Sequence, residues 1–537
     1  MFEGFVHASG GRLVDGLGEP LILRGVALGN WLLPEGYMWK FEHPLTQSPR
    51  EIEALVVDLV GLDLAADFWR RFRATFITED DIAQIRVEGM NHVRLPINSR
   101  VVMDESGELI EDGLKLIDHA IDWCRKHELW VVLDLHGAPG GQTGTNIDDS
   151  PHHAPELFTD ERYRSLTLKL WRAMARRYRD ETVVAAYDLL NEPLPNVYQH
   201  LYAGQLRDLY RELTAAIRDV DPNHMISYEG THWATNWDVF TEVWDSNSIL
   251  QFHKYWSSPD RASIKRYVDT GRELGLPIYM GEGGENNLDW TQTAFQLYDD
   301  SAISWNFWTW KKVETLTSPC SVNAPSGWGE ITAFAAGKGA KPECARAQQT
   351  MNELVDAMAL ANCTYRPDVM SSVLRRPPLR IPAFGFGFRG AGESYKTRAA
   401  VPLPGFRTDD LVTIRRANGI EYGDLDWNRT DGVARAAADE LLVSLHSGDW
   451  VAYDIAVRSP SRFQIAVALK HEDGGSRNGL AVDISIDGAG VAVKDSGDAT
   501  LRGTTGELSA GRHVVRLTGL SGDSLVRWIE LIPAVGR

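Results

Sequence analysis

From about Arg12 to Asn306 the chain alternates short apolar runs with amphipathic helical stretches, and this repeat limits its fold more than any other feature. Candidate strands are Leu21–Val26, His92–Pro96, Trp130–Leu135, Val183–Leu189, Met225–Tyr228, Ile249–Phe252, Ile278–Met280 and Ile303–Phe307. Helical periodicity falls between them, as in Asp80–Glu88, Gly113–Lys126, Tyr163–Arg179 and Gly204–Val220. Eight strand–helix repeats are what a closed parallel barrel needs. The pattern changes after the turn-rich stretch from Arg375-Arg376-Pro377-Pro378 to Phe388. Beyond it, period-two alternation runs through Trp450–Val457, Arg462–Leu469, Leu480–Ile486, His513–Leu517 and Leu525–Ile532. The expected fold class is therefore α/β: a (β/α)8 barrel over residues 1–372, a linker at 373–390 and a β-sandwich over 391–537.

In a parallel barrel, reactive side chains gather at the carboxyl ends of the strands. Those positions hold Arg94, His136, Asn191-Glu192, His253 with Tyr255, Glu282 and Trp308. Taken singly, each has a plain explanation: Arg94 as a surface ion-pair partner, the histidines as satisfied core residues, Glu282 as a solvated loop acid. Seven polar groups at matching strand ends point instead to one site. Two carboxyl groups about 5–5.5 Å apart can protonate a glycosidic oxygen and attack the sugar with retention, whereas a wider gap admits water and inverts. Glu192 and Glu282 are the candidate pair. Arg94 near Glu282 would hold that carboxylate charged, and Glu192, beside this charge in a drier setting, suits the acid role. Asn191 can donate to a sugar 2-hydroxyl, Tyr255 can hydrogen-bond Glu282, and Trp308 can floor the cleavage subsite. Glu229 and Glu285 are the lesser candidates for nucleophile. His152-His153 lacks a third partner at ligand spacing and reads as a surface loop, so no catalytic metal is expected.

The segments Leu23-Arg24-Gly25 through Pro34-Glu35, Asn91-His92-Val93-Arg94-Leu95-Pro96, Leu133-Asp134-Leu135-His136-Gly137, Leu190-Asn191-Glu192-Pro193, His253-Lys254-Tyr255, Met280-Gly281-Glu282 and Phe307-Trp308-Thr309-Trp310 occur in this order. Together they resemble glycoside hydrolase family 5, nearest to its exo-β-1,3-glucanase branch. The resemblance implies Glu192 as acid/base, Glu282 as nucleophile and Asn191 as 2-hydroxyl partner. It implies Arg94, His136, His253, Tyr255 and Trp308 as supporting residues, and Glu35 as a carboxylate gripping the terminal sugar. The connection from Trp31 to Thr75 is expected to wall off one end of the cleft. Gly283-Gly284-Glu285-Asn286-Asn287 departs from the branch, which carries an aromatic after the nucleophile, and Gln142–Asp148 also differs in type.

In the carboxyl-terminal region, Glu421-Tyr422-Gly423-Asp424, Gly448-Asp449-Trp450, Leu508–His513 and Trp528-Ile529-Glu530 resemble carbohydrate-binding modules of families 6 and 35. That likeness implies sugar binding, with Trp427 and Tyr422 as stacking candidates, and a structural calcium. The bland alternative is a scaffold sandwich without ligand.

A net charge of -19 argues against nucleic acid and anionic membranes as partners, and a neutral oligosaccharide or glucoside fits better. Of 18 tryptophans, most lie at or before Trp328, as suits a sugar-stacking or a large barrel core. Cys124 reads as core, and reduced thiols with no visible leader suggest a cytoplasmic protein. The expected activity is a retaining, exo-acting β-glucosidase or exo-β-glucanase. The alternatives are an endo-acting glycanase and a non-catalytic carbohydrate-binding protein.

Overall fold

Apolar runs bounded by turns form all eight expected strands: β1 (Arg24–Ala27), β2 (His92–Asn98), β3 (Trp130–Gly137), β4 (Val184–Asp188), β5 (Met225–Glu229), β6 (Ser248–Lys254), β7 (Ile278–Gly284) and β8 (Ser304–Trp308). They close into one barrel, with β8 pairing β1 in parallel. The molecule is a computed structural model that describes residues 2–398, 400–420, 423–470, 482–520 and 522–534. The helices bury one stripe each: Ala203–Arg218 buries Leu206, Leu209, Tyr210, Leu213 and Ile217. At the amino-terminal end of the barrel Val6, Leu13, Leu23, Trp130, Val132, Met225 and Ile249 form an apolar plug. The opposite end is left for polar groups.

The stretch from Trp31 to Thr75 is not one long wall of loop, contrary to expectation. Pro49–Val60 and Leu62–Thr75 are helices. Ser48 and Glu51 form a capping box around Pro49 at the first helical turn. Phe68, Trp69 and Phe72 then pack against Trp39, which also meets Trp328. Only the part before Ser48 remains to shape a rim.

The described residues fall into two compact units. The first comprises Met1–Lys254, Tyr267–Gly283 and Ser304–Tyr365; the second comprises Tyr255–Arg266, Gly284–Ile303 and Arg366–Arg537. The second unit contains two antiparallel sheets. One includes Phe463–Lys470 and Ser524–Pro533, the other Trp450–Val457, Gly511–Gly519 and Val482–Ile486. Leu480, in the expected strand Leu480–Ile486, lies outside the described residues, as do Glu421 and Tyr422. Leu379–Pro382, within the stretch expected to be a linker, pairs with Ser524–Pro533. Helix Leu288–Asp300 also belongs to this unit: Gln296 donates to Asp454 (2.9 Å), and Asp300 accepts from the Phe388 N–H (2.7 Å).

Trp427 is not a sugar-stacking platform. It is 6% exposed, packs on Phe406 and Phe384, and carries the Arg435 guanidinium over its ring. Among the described residues, the only cluster of three or more His, Cys, Asp or Glu at ligand spacing is Glu192, His253 and Glu282, in the first unit. Among the described residues of the carboxyl-terminal region, no such cluster stands for the implied calcium. No helix among the described residues is long and apolar enough to cross a membrane.

Candidate active site

Alternation along a strand puts residues two apart on the same face, so Asp134 with His136, and Gln251 with His253, all point into the barrel. Parallel register sets Asp134 beside Asp188 and His253 beside Glu282. Arg94, fully buried on β2, rises into this ring of acids. Its Nε donates to Asp188 (2.9 Å), and its Nη2 to Asn191 Oδ1 (2.9 Å) and Glu229 (3.1 Å). Nη2 also lies 3.1 Å from Asp134, and Nη1 donates to Glu282 Oε1. The guanidinium is therefore shared among four carboxyl groups rather than reserved for Glu282.

Glu192 follows β4 with a left-handed backbone (φ 44°), which turns its side chain out of the strand direction. Its N–H donates to Glu229 Oε2 at 2.6 Å, so Glu229 holds this conformation. Glu229 also accepts from Gln251 and Arg94. Glu229 is wholly buried and occupied on both oxygens, which sets it apart from a nucleophile. His253 Nδ1 lies 2.7 Å from Glu192 Oε1 and 3.5 Å from Glu282 Oε2. One ligand atom each from Glu192, His253 and Glu282 all lie within 4.8 Å of one another, so the two carboxyl groups face each other across a narrow gap. A metal is a poor fit for this trio, because the histidine nitrogen nearest both carboxylates is placed as a proton donor.

Burial would lower the pKa of His253, but the charges of Glu229 and Glu282 and its bond to Glu192 outweigh it and hold the imidazole well above its usual range. Burial pushes Glu282 upward, while His253 and Arg94 pull it back and Glu192 adds to the rise. This differs from a carboxylate simply held charged by Arg94, because Arg94 divides its charge among several acids. Burial drives Asp134 up to about 8 and Asp188 to about 6, against the pull of Arg94.

His136 is pushed down to about 4 by burial and is neutral near pH 7. Its Nδ1 donates to Asp134 (2.7 Å), which leaves Nε2 to accept from Asn191 Nδ2 (3.3 Å). Asn191 is thus fixed from both ends, and its second amide hydrogen stays available to a ligand. The Trp308 ring lies parallel to His136 (5.4 Å between centroids), and its Nε1 donates to the Tyr37 hydroxyl (2.9 Å). Glu35 is 1% exposed, with Oε1 3.9 Å from His136 Nε2. The Glu35 N–H (3.2 Å) and Trp39 Nε1 (2.6 Å) both donate to Asn30 Oδ1, which braces this rim. Gln142 Nε2 donates to the carbonyls of His136 (2.6 Å) and Asn191 (3.0 Å), tying the loops after β3 and β4 together.

Arg94, His136, Asn191, Glu192, His253, Glu282, Trp308 and Glu35 are thus brought together in the first unit. Tyr255 and Glu285 belong to the second unit. Sequence reasoning passed over Asp134, Asp188, Gln251, Tyr37 and Asn30. A charged or amide residue two places before a strand-end site residue was the available signal for Asp134 and Gln251.

Residues 57–314 match the sequence model of the family described as cellulase (glycosyl hydrolase family 5). A β-xylosidase of Phanerodontia chrysosporium is 29% identical over 348 residues, which is 58% of this chain and 71% of that protein. A probable glucan 1,3-β-glucosidase A of Aspergillus fumigatus is 33% identical over 272 residues, 49% of this chain. That alignment spans 64% of the Aspergillus protein, under two thirds of its length. A solved structure of Thermotoga maritima Cel5A in complex with mannotriose overlaps 66% of this chain and 97% of its own at 19% identity, with a TM-score of 0.42.

Proposed function

We propose that the chain, whose residues 57–314 match the glycosyl hydrolase family 5 model, is a hydrolase of that family that cleaves β-glucosidic bonds by double displacement, with Glu192 as acid/base and Glu282 as nucleophile. The observation that carries this reading is the narrow gap between the two carboxyl groups, with ligand atoms within 4.8 Å. Attack requires Glu282 in its ionised form, and Arg94 at its Oε1 with His253 facing its Oε2 opposes the upward push of burial. Glu282 attacks the anomeric carbon. Glu192 gives its proton to the glycosidic oxygen as that bond breaks, and the sugar becomes an ester of Glu282. The Glu192 carboxylate then takes a proton from water, whose oxygen displaces Glu282 and restores both groups. Asn191 offers its free amide hydrogen to the 2-hydroxyl, a contact that strengthens as positive charge builds on the ring.

Exo action is favoured by Glu35, a buried carboxylate beside His136 on the braced rim, where it can accept hydrogen bonds from the hydroxyls of a chain end. The names of the relatives, a glucan 1,3-β-glucosidase and a β-xylosidase, fit release of single sugars. A β-glucan oligosaccharide should therefore yield monosaccharide first; internal fragments at early times would refute exo action.

The catalytic roles are tested by two variants. Glu282→Ala should lose on the order of 10⁴-fold or more in kcat while remaining folded. Glu192→Ala should lose roughly 10²–10⁴-fold on poor leaving groups but far less on activated aryl glucosides. Wild-type turnover by the first variant, or equal losses of the second on both substrate types, would refute the assignments.

A further inference from the structure

Glu229, the last residue of β5, is an acid that the two displacement steps do not use, yet it bears on Glu192 from two sides. Alternation along β5 turns Ser227 and Glu229 into the barrel together. The Tyr210 hydroxyl pins the Glu229 backbone, donating to its carbonyl (2.9 Å) and accepting from its N–H (3.3 Å). Ser227 Oγ donates to Gln251 Oε1 (2.9 Å), which fixes the Gln251 amide so that its Nε2 donates to Glu229 Oε1. Arg94 Nη2 (3.1 Å) and His253 Nε2 (3.3 Å) reach the same oxygen. Glu229 Oε2 accepts from the Glu192 N–H at 2.6 Å.

Four N–H donors thus converge on one wholly buried carboxylate, whose two oxygens together can accept about four. Burial pushes the pKa of Glu229 upward and His253 and Arg94 pull it back, but a proton on this carboxyl would have to face one of the donors. The donor set therefore selects the anion. That anion draws the His253 Nε2–H to itself and leaves Nδ1–H directed at Glu192 Oε1 (2.7 Å). Glu192 is held at both ends. Its carboxyl group is held through the imidazole, and its backbone directly, in a left-handed conformation (φ 44°) that is unfavourable for a residue with a Cβ. Without an acceptor for its N–H the Glu192 backbone can relax to an ordinary region, and a change in φ there swings the carboxyl group away from the glycosidic oxygen.

We infer that Glu229 is the positioning residue of the acid/base: one buried anion sets the direction of the Glu192 side chain through its N–H and orients His253 against its carboxyl group. The inference rests on the catalytic reading above. Glu229 acts only through its neighbours, so its loss should resemble a weakened acid and not a weakened fold. A misplacement of about 1 Å at a reacting group is enough to cost on the order of 10²-fold in rate.

The test uses the full-length chain and kcat/KM, which reports the steps up to loss of the leaving group. Glu229→Gln keeps the size and an oxygen for the Glu192 N–H, but it removes the charge and turns an amide NH2 toward the donors of Arg94, Gln251 and His253. Glu229→Asp keeps the charge between Arg94 and His253, and with it the fold, but shortens the reach to Glu192. Both should lose on the order of 10²-fold on an alkyl β-glucoside, whose leaving oxygen needs a proton. On a dinitrophenyl β-glucoside, whose leaving oxygen needs none, they should stay within about threefold of wild type. Tyr187→Phe, which cuts a buried hydrogen bond from β4 to Asp221 (2.8 Å), is the control for general destabilisation. It should lower the melting temperature and leave kcat/KM alone on both substrates. Equal losses on the two substrates in Glu229→Asp, or wild-type values on both, would overturn the inference. Glu192→Ala in the same assay separates the two claims. If it discriminates between the substrates while the Glu229 variants do not, only the positioning role fails; if it does not discriminate, the catalytic reading fails first.

Discussion

Arg94 is the residue on which the electrostatics of the site converge, because one cation directly contacts Asp134, Asp188, Glu229 and Glu282. With His253 it supplies two positive charges against five acids when Glu192 is counted, so the cluster retains protons near neutral pH. The histidines divide the work by their surroundings. His253, among carboxylates, is kept charged; His136, with a single acid on Nδ1 and an amide on Nε2, is kept neutral. The neutrality of His136 has a measurable sign. Its folded pKa of about 4 lies below the unfolded value near 6.5. Its contribution to stability is therefore complete above about pH 6.5 and lost as pH falls through about 4. Urea titrations should show the wild type losing roughly 3 kcal/mol relative to His136→Gln between those limits. A gap that does not change with pH would mean that folding leaves the His136 pKa unshifted.

At the scale of elements, the eight strands were legible because each is an apolar run set between helical patterns, and their polar ends named most of the residues that gather around Arg94. What the ends could not reveal was the layer beneath them. Asp134 and Asp188 sit inside apolar strands, and only parallel register makes them neighbours. The helix Leu62–Thr75 was hidden for a different reason: its aromatic stripe packs on Trp39, outside the helix, which in turn meets Trp328 far along the chain. Helix Glu79–Glu88 shows how one acid can join several elements. Asp81 forms a capping box with Thr78, accepts from Trp310 Nε1 (2.9 Å), and pairs with the buried Lys311 ammonium (2.7 Å). Asp81→Ala would leave that ammonium with only the carbonyls of Phe76 and Met358. The expected loss is about 3–5 kcal/mol of unfolding free energy, because a buried charge loses its counter-ion. A loss below about 1 kcal/mol, the scale of an exposed pair, would show that Lys311 is hydrated or neutral.

For the whole molecule, composition and charge pointed to a neutral substrate, and motif order pointed to the family. The division of the chain was harder to read. A compact unit that takes Tyr255–Arg266 and Gly284–Ile303 together with Arg366–Arg537 cannot be found by looking for one boundary, because its contacts skip along the sequence. The same skipping withdrew Trp427 from the sugar-binding role its position suggested and gave its carbonyl to Asn286. The account as a whole depends on Glu192 and Glu282 acting across the short gap of a retaining pair, without the added space that an inverting pair keeps for water beside the substrate. Proton NMR of the first turnovers on an aryl β-glucoside reads this most directly. The account predicts that the β-anomer of the released sugar appears first and the α-anomer only later, by mutarotation; α-anomer as the first product would contradict it.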